Sequence, residues 1–254
     1  MSCGGEVSPS REVVLASTTS TEDSGLFDVL LPAFERAHPE YDVKLIAVGS
    51  GEALALGRRR DADVLLVHAP VDEEVFVREG HGATRQRVMA NDFVVAGPAA
   101  DPAAVRSAPH AAAALRRIAD SGALFVSRGD NSGTHKKELE LWTVTGPRPP
   151  SQSGWYIEVG QGMGDALRVA NERQAYVLAD RATYLFLSST LDLVVLAEGD
   201  TALFNPYSVI TVSGARNARG AQVFADWLVG EEAQTLIGRY GVERFGRALF
   251  VPVR

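Results

Sequence analysis

Short aliphatic runs alternate with amphipathic stretches along almost the whole chain. Residues 13–16, 43–48, 64–67 and 93–96 are brief, aliphatic and bounded by Gly, Pro or polar residues, the pattern of buried strands. Between them Leu26, Leu30, Ala33 and Phe34 recur at helical spacing and predict a helix that ends near His38-Pro39, where proline cannot continue it. Shorter amphipathic helices are expected at 53–60 and 73–79. The order repeats downstream, with strands expected at 124–126, 156–158, 176–178 and 193–196 and helices at 111–120, 134–144, 165–173 and 181–187. Val223, Phe224, Trp227, Leu228, Leu236 and Ile237 carry one helical stripe through 218–240. Alternation of this kind predicts an α/β fold whose largely parallel sheet is covered on both faces. Pro and Gly interrupt it at 97–109 and 146–154. The second interruption contains Pro147-Arg148-Pro149-Pro150-Ser151 and reads as an exposed loop.

At 254 residues the chain is long enough for one large domain or two modest ones. Its 32 acidic and 25 basic residues give a net charge of −7, so the overall field offers no attraction for nucleic acid or anionic lipid. An anionic ligand must therefore be held by local groups. The single cysteine, Cys3, excludes an internal disulfide and a multi-cysteine metal cluster. No uncharged apolar run approaches the roughly 20 residues that span a bilayer; the best candidate, 201–215, contains Asn205, Pro206 and Gly214. The start, Met1-Ser2-Cys3-Gly4-Gly5, lacks the basic and apolar regions of a signal peptide and reads in two ways. One is a cytosolic chain with a stray thiol. The other is a mature bacterial lipoprotein beginning at Cys3, its export signal replaced by Met-Ser, with 1–11 as a polar tether.

Candidate chemistry lies in four loops, each placed between an expected strand and an expected helix. They are Ser17-Thr18-Thr19-Ser20-Thr21, Gly49-Ser50-Gly51, Arg128-Gly129-Asp130-Asn131-Ser132-Gly133-Thr134 and Gly160-Gln161-Gly162-Met163-Gly164. In an open α/β sheet such loops share the carboxyl ends of the strands, where ligands bind. Helix N-termini offer unpaired N–H groups and positive dipole ends, while hydroxyls add donors and glycine lets backbone approach closely. Together they read as an oxyanion cage, with Arg128 its only fixed cation. Each segment also has a plainer reading as a helix cap or tight turn.

Rival chemistries lack their motifs. The histidines, His38, His68, His81, His110 and His135, show no zinc spacing and are expected mostly at the surface or at helix ends. Ser132 is flanked by Asp130 and Thr134 where a nucleophile elbow requires glycines. Gly160-Gln161-Gly162 has Asp165 in the third-glycine position of a dinucleotide fingerprint, and no P-loop is present. A phosphoester enzyme with His135 as acid or base, and a sensory module of a regulator, remain as alternatives; no DNA-binding segment accompanies the latter.

The motifs in order resemble the periplasmic tungstate-binding proteins of ABC importers, the Tup type. The resemblance runs from Val13 onward through Ala16-Ser17-Thr18-Thr19-Ser20-Thr21 with Ser24-Gly25-Leu26, Val48-Gly49-Ser50-Gly51-Glu52-Ala53-Leu54 and Asp63-Val64-Leu65-Leu66-Val67-His68-Ala69. It continues through Asn91-Asp92-Phe93, the segment from Arg128 to Glu138, Gly160-Gln161-Gly162-Met163-Gly164 and Leu203-Phe204-Asn205-Pro206-Tyr207. Ser17 departs from the threonine more usual there but keeps a hydroxyl.

The resemblance implies a two-lobed type II solute-binding fold, each lobe a mixed, largely parallel sheet flanked by helices. Lobe I would be 12–93 with 208–254 and lobe II 94–207, joined by crossover strands at 93–98 and 207–211. It further implies a non-catalytic, monomeric receptor, periplasmic or extracellular, and on the lipoprotein reading of the start it is lipid-anchored through Cys3. That receptor would deliver tungstate or molybdate to a membrane permease, with no cofactor and no nucleic-acid partner. Contacts are expected from Thr18, Thr19, Ser50, Arg128 and Thr134, with Ser132, Gly133 and the Met163 backbone N–H as further candidates. Tungstate is fully deprotonated at neutral pH, so an all-donor cage suits it. Sulfate, with shorter bonds, would leave oxygens out of reach. Phosphate is the rival because Arg-x-Asp-x-Ser-Gly-Thr also resembles phosphate-binding proteins. Asp130 would then accept the phosphate proton, whereas in a tungstate site it is expected to orient Arg128 or cap the helix.

Overall fold

Residues 11–146 and 154–253 are described by the computed structural model of the protein. Cys3, all of the expected tether except Arg11, and the 147–151 loop lie outside the described residues. The first half of the chain runs β1 (Glu12–Thr18), α1 (Thr19–Asp23), α2 (Phe27–Ala37), β2 (Asp42–Val48), α3 (Ser50–Arg59), β3 (Val64–Val67), α4 (Pro70–Arg78) and β4 (Gly82–Gly97). The second half runs α5 (Ala111–Ser121), β5 (Phe125–Ser127), α6 (Gly133–Thr145), β6 (Tyr156–Glu158), α7 (Met163–Arg173), β7 (Tyr176–Asp180), α8 (Arg181–Leu187) and β8 (Val194–Ala197). The chain then returns through β9 (Phe204–Val212), α9 (Ala218–Leu228), α10 (Glu231–Arg239), α11 (Val242–Phe245) and β10 (Val251–Pro252).

The strands form a mixed sheet in the order β2-β1-β3-β9-β4-β7-β5-β6, with β8 and β10 also pairing with β4. Parallel pairs occupy both ends, β1 with β2 and β3, and β5 with β6 and β7. Continuous aliphatic strands are buried on both faces, as parallel sheets require. In β3, Val64 and Leu66 join the core formed by Phe34, Phe224 and Leu228, while Leu65 and Val67 pack with Ala53, Leu54 and Phe76 on the other side. The second half repeats this. Phe125 and Tyr176 face Leu115 and Trp142, whereas Val126 and Val177 face Met163, Leu167 and Ala170.

Two antiparallel strands join the halves. β4 pairs with β9 from Gly82 to Asp92, then changes partners, and Phe93 to Ala96 pair with β7. The sequence pattern shows only the end of this 16-residue strand. Its earlier part is polar because its charged side chains are served laterally: Arg85 reaches the buried Glu73 at 2.8 Å, and Thr84 bonds Thr211. The second crossover is not at Tyr207–Thr211. Phe204, Asn205 and Pro206 already pair with Asp92, Asn91 and Ala90, so Tyr207 to Thr211 is the interior of β9, flanked by β3 and β4. The 218–240 stripe is also two helices. Gly230, extended at φ −77°, ψ 166°, caps α10, so the chain turns while the apolar face still meets the same core.

Candidate functional site

Parallel pairing brings the helix N-termini together. Thr18 lies beside Val48 at the ends of β1 and β2, and Ser127 beside Glu158 at the ends of β5 and β6. Helices α1 and α3 begin at the carboxyl ends of the first half's strands and α6 and α7 at those of the second; since β4 runs with β1 but antiparallel to β7, and β5 and β6 run with β7, these two edges face each other. The helix starts meet there. A Cβ placed on Gly51 would lie 2.7 Å from the Asn131 side chain, and one on Gly162 would lie 3.5 Å from Thr19 Oγ1. The Asp23 carboxylate, at the end of α1, accepts the Gly164 N–H of α7 at 3.0 Å, and Thr183 Oγ1 donates to Ser20 O at 3.0 Å. The two halves are shut upon one another.

Arg128 is the charged centre of this junction and only 2% exposed. Its Nη2 donates to Thr19 Oγ1 at 3.0 Å and to Asp130 Oδ2 at 2.5 Å, and its Nε to the Gln161 carbonyl at 3.3 Å. Three loops thus fix one guanidinium. Asp130 Oδ1 accepts the Ser132 N–H at 3.1 Å, so the carboxylate both orients Arg128 and shapes the start of α6. Asn131 completes the turn with φ +57°, a left-handed conformation that asparagine tolerates.

Three buried polar atoms at this junction have no hydrogen-bond partner among the described residues: Ser50 Oγ, Thr134 Oγ1 and Arg128 Nη1. Buried polar groups are paired in the great majority of cases, and leaving one unpaired costs about 1–3 kcal/mol. These three come from separate chain segments, at the start of α3, at the start of α6 and just after β5. All are donors, and helix N-termini surround them with further N–H groups. This set can enclose a small species whose every surface atom is an acceptor. A tetrahedral oxyanion has that chemistry.

The remaining sequence candidates have other engagements. Thr19 Oγ1 accepts from Arg128 and keeps its own proton to donate. Thr18 Oγ1 faces its own loop, 2.8 Å from Thr21 Oγ1 and 3.2 Å from Ser20 Oγ. Ser132 Oγ caps α6 by accepting the His135 N–H. Gly133 and Met163 are the first residues of α6 and α7 and offer backbone N–H groups; the Met163 side chain is in the core.

Two histidines differ from expectation. His135 is 7% exposed, not solvated, because its Nδ1 accepts the Asn131 N–H. His68 is 3% exposed and bonded on both ring nitrogens. Burial pushes its pKa down to about 4, against the Asn205 contact, so it is neutral at pH 7. Burial also pushes Asp180 up to about 6, partly opposed by the Thr183 N–H it caps. Asp23, His68, Thr183 and the Gln161 carbonyl were missed from the sequence. His68 and Gln161 stood in recognisable motifs, and neither had an assigned role there. Among the described residues no group of three or more His, Cys, Asp or Glu side chains is placed to hold a metal ion, and no helix is long and apolar enough to cross a membrane.

Comparison with known proteins places these features in context. A model for the PBP superfamily domain matches residues 5–232. The chain is 46% identical to the tungstate-binding protein TupA of Peptoclostridium acidaminophilum, over 98% of this chain and 92% of that one. It is 44% identical to a crystal structure described as the tungstate ABC transporter from Geobacter sulfurreducens, with a TM-score of 0.82 over 92% of this chain and all of that one. A third similar structure is the tungstate-binding protein TupA from Desulfovibrio alaskensis G20, at 43% identity and a TM-score of 0.78 over 96% and 99% of the two chains.

Proposed function

Since the chain belongs to the PBP superfamily, and within it to the family of the TupA tungstate-binding proteins, we propose that it is the oxyanion receptor of an ABC importer. It binds tungstate, and molybdate beside it, between two lobes that move about the β4–β9 pair. It then presents the closed form to the membrane permease. Its action is binding and not catalysis. The observation that carries the reading is the trio of buried donors without partners, Ser50 Oγ, Thr134 Oγ1 and Arg128 Nη1.

The chemistry follows from the charge of the ligand. A fully deprotonated tetrahedral dianion accepts at every oxygen and donates at none. Burying it is costly unless hydrogen bonds and positive charge replace the lost water. Arg128 supplies a full charge, the helix N-termini supply partial ones, and each charge-assisted bond contributes about 1.5–3 kcal/mol. Both Asp130 oxygens are already engaged, one by Arg128 and one by the Ser132 N–H. A carboxylate oxygen can accept more than once, so the preference for a fully deprotonated anion over protonated phosphate rests on the donors left without partners at Ser50, Thr134 and Arg128. Residence outside the cytoplasmic membrane, with lipid attached at Cys3 and the receptor acting as a monomer, belongs to the same proposal.

Calorimetric titration with tungstate, molybdate, sulfate and phosphate tests it. Tight binding of the first two is expected, with Arg128→Ala weakening them by at least about 10-fold, since it removes a donor and leaves Asp130 uncompensated beside the anion. Unchanged affinity in that variant would take Arg128 out of the site. Tighter binding of phosphate than of tungstate would overturn the choice of ligand.

A further inference from the structure

His68 stands just beyond β3, where the hydroxyl loop, the crossover strands and the second lobe all touch it. Its Nδ1 is 2.9 Å from Asn205 Oδ1. Asn205 spends its amide hydrogens on Asn91 Oδ1 at 2.7 Å and Tyr207 Oη at 3.2 Å, so it presents an acceptor to the ring. Nδ1 therefore carries the hydrogen, and a neutral ring leaves Nε2 as an acceptor. At 3.3 Å from Nε2 lies Ser20 Oγ, which donates to it. The ring also stacks on Tyr207, with centroids 4.7 Å apart at 27°. Asn91 and Asn205 are cross-strand partners in β4 and β9, one step before β4 changes sheets. From the far side α6 seats directly on the histidine. A Cβ on Gly133 would come within 2.6 Å of its Cε1 and 2.8 Å of its carbonyl oxygen.

One side chain thus joins the loop that begins α1, the crossover on which the lobes move, and the N-terminus that carries Thr134. We propose that His68 is a positioning residue for the oxyanion cage. As a neutral ring protonated on Nδ1, it directs the Ser20 hydroxyl inward and holds the first turn of α1 in register with the seated α6. The inference rests on the oxyanion-receptor reading and adds to it the residue that links cage geometry to lobe closure. Ser20 then serves as an anchor, and the donors left for the ligand at this loop are the Thr19 hydroxyl and the backbone N–H groups of the turn.

The test uses the full chain, with tungstate as the probe. Long-range nitrogen–proton NMR on the wild type at pH 7 is expected to show the Nδ1–H tautomer of His68. The Nε2–H tautomer or an imidazolium there would overturn the proposal. His68→Phe keeps a ring against Tyr207 and removes both polar contacts, and is expected to weaken tungstate binding by about 10- to 30-fold. His68→Gln places an acceptor near the former Nε2 and is expected to recover at least half of that loss on a logarithmic scale. Wild-type affinity in His68→Phe, or no recovery in His68→Gln, would overturn the inference. If His68→Phe does not fold, Ser20→Ala carries the test: a loss of several-fold supports the tie, and unchanged affinity refutes it. A wild type that binds no oxyanion overturns the functional reading itself, an outcome distinct from a binding wild type with an equally competent His68→Phe.

Discussion

Replacing Thr134 by valine should move stability and affinity in opposite directions. The Thr134 side chain is 1% exposed, and its Oγ1 has no hydrogen-bond partner. Valine keeps the branched shape and removes the hydroxyl. Without anion, the wild type bears the cost of a buried unpaired hydroxyl, about 1–3 kcal/mol, and the variant does not. At about 2–4 °C per kcal/mol for a chain of this size, the anion-free variant should melt a few degrees higher. With anion, the same hydroxyl makes a charge-assisted bond of about 1.5–3 kcal/mol, so its loss should weaken tungstate by about 10- to 150-fold. Ser50→Ala tests the same logic from the other lobe, where Ser50 Oγ is equally buried and unpaired. Melting curves on anion-stripped protein and calorimetric titration give both quantities. A variant that melts lower without anion, or that binds tungstate as tightly as the wild type, would refute the assignment of these hydroxyls to the ligand.

Two further expectations follow from buried groups around the cage. Glu138 lies behind it, accepting from Tyr156 Oη at 2.7 Å and Trp142 Nε1 at 3.0 Å, and burial pushes its pKa up to about 7. A carboxyl raised in the folded state favours folding below the unfolded value of 4.5 and loses that contribution as pH rises through 7. Glu138→Gln should therefore change little at pH 4 and be stabilising by about 3 kcal/mol above pH 8. Thermal melts from pH 4 to 9 check it, and a variant less stable than wild type at pH 8.5 would contradict it. Gly133→Ala drives a methyl against the His68 carbonyl oxygen and should cost about 1–3 kcal/mol of closure, read as at least a 5-fold loss of tungstate affinity. Wild-type affinity in that variant would show that α6 does not need to seat there.

What could be read from the sequence followed from local pattern. Short aliphatic strands such as Val64–Val67 announce themselves because both faces are buried, and helix starts such as Ser132-Gly133-Thr134 because capping chemistry is local. Arg128 was legible for the same reason, as a cation within a helix-start loop. The first part of β4 was not, because its alternation is masked by side chains whose partners, Glu73 and Thr211, lie 12 and 127 residues away. The extent of β9 was misjudged likewise: Asn205 and Pro206 look like the end of a loop, and only their pairing with Asn91 and Ala90 makes them strand.

The same distinction divides the site. Its donors sit at helix N-termini, where the reason for a hydroxyl or glycine can be stated from three or four neighbouring residues. The groups that hold those donors in place are long-range: Asp23 reaches Gly164 over 141 positions, His68 reaches Asn205 over 137, and Arg128 reaches Thr19 over 109. Two of these bonds join one lobe to the other, and the third runs from the cage to the crossover. The Asp23–Gly164 and Arg128–Thr19 bonds come into register only where the two halves meet, whereas His68–Asn205 is set by the β3–β9 pairing. The shut arrangement leaves Ser50 Oγ, Thr134 Oγ1 and Arg128 Nη1 buried without partners among the described residues, and the proposed acceptor-rich anion is what would supply them.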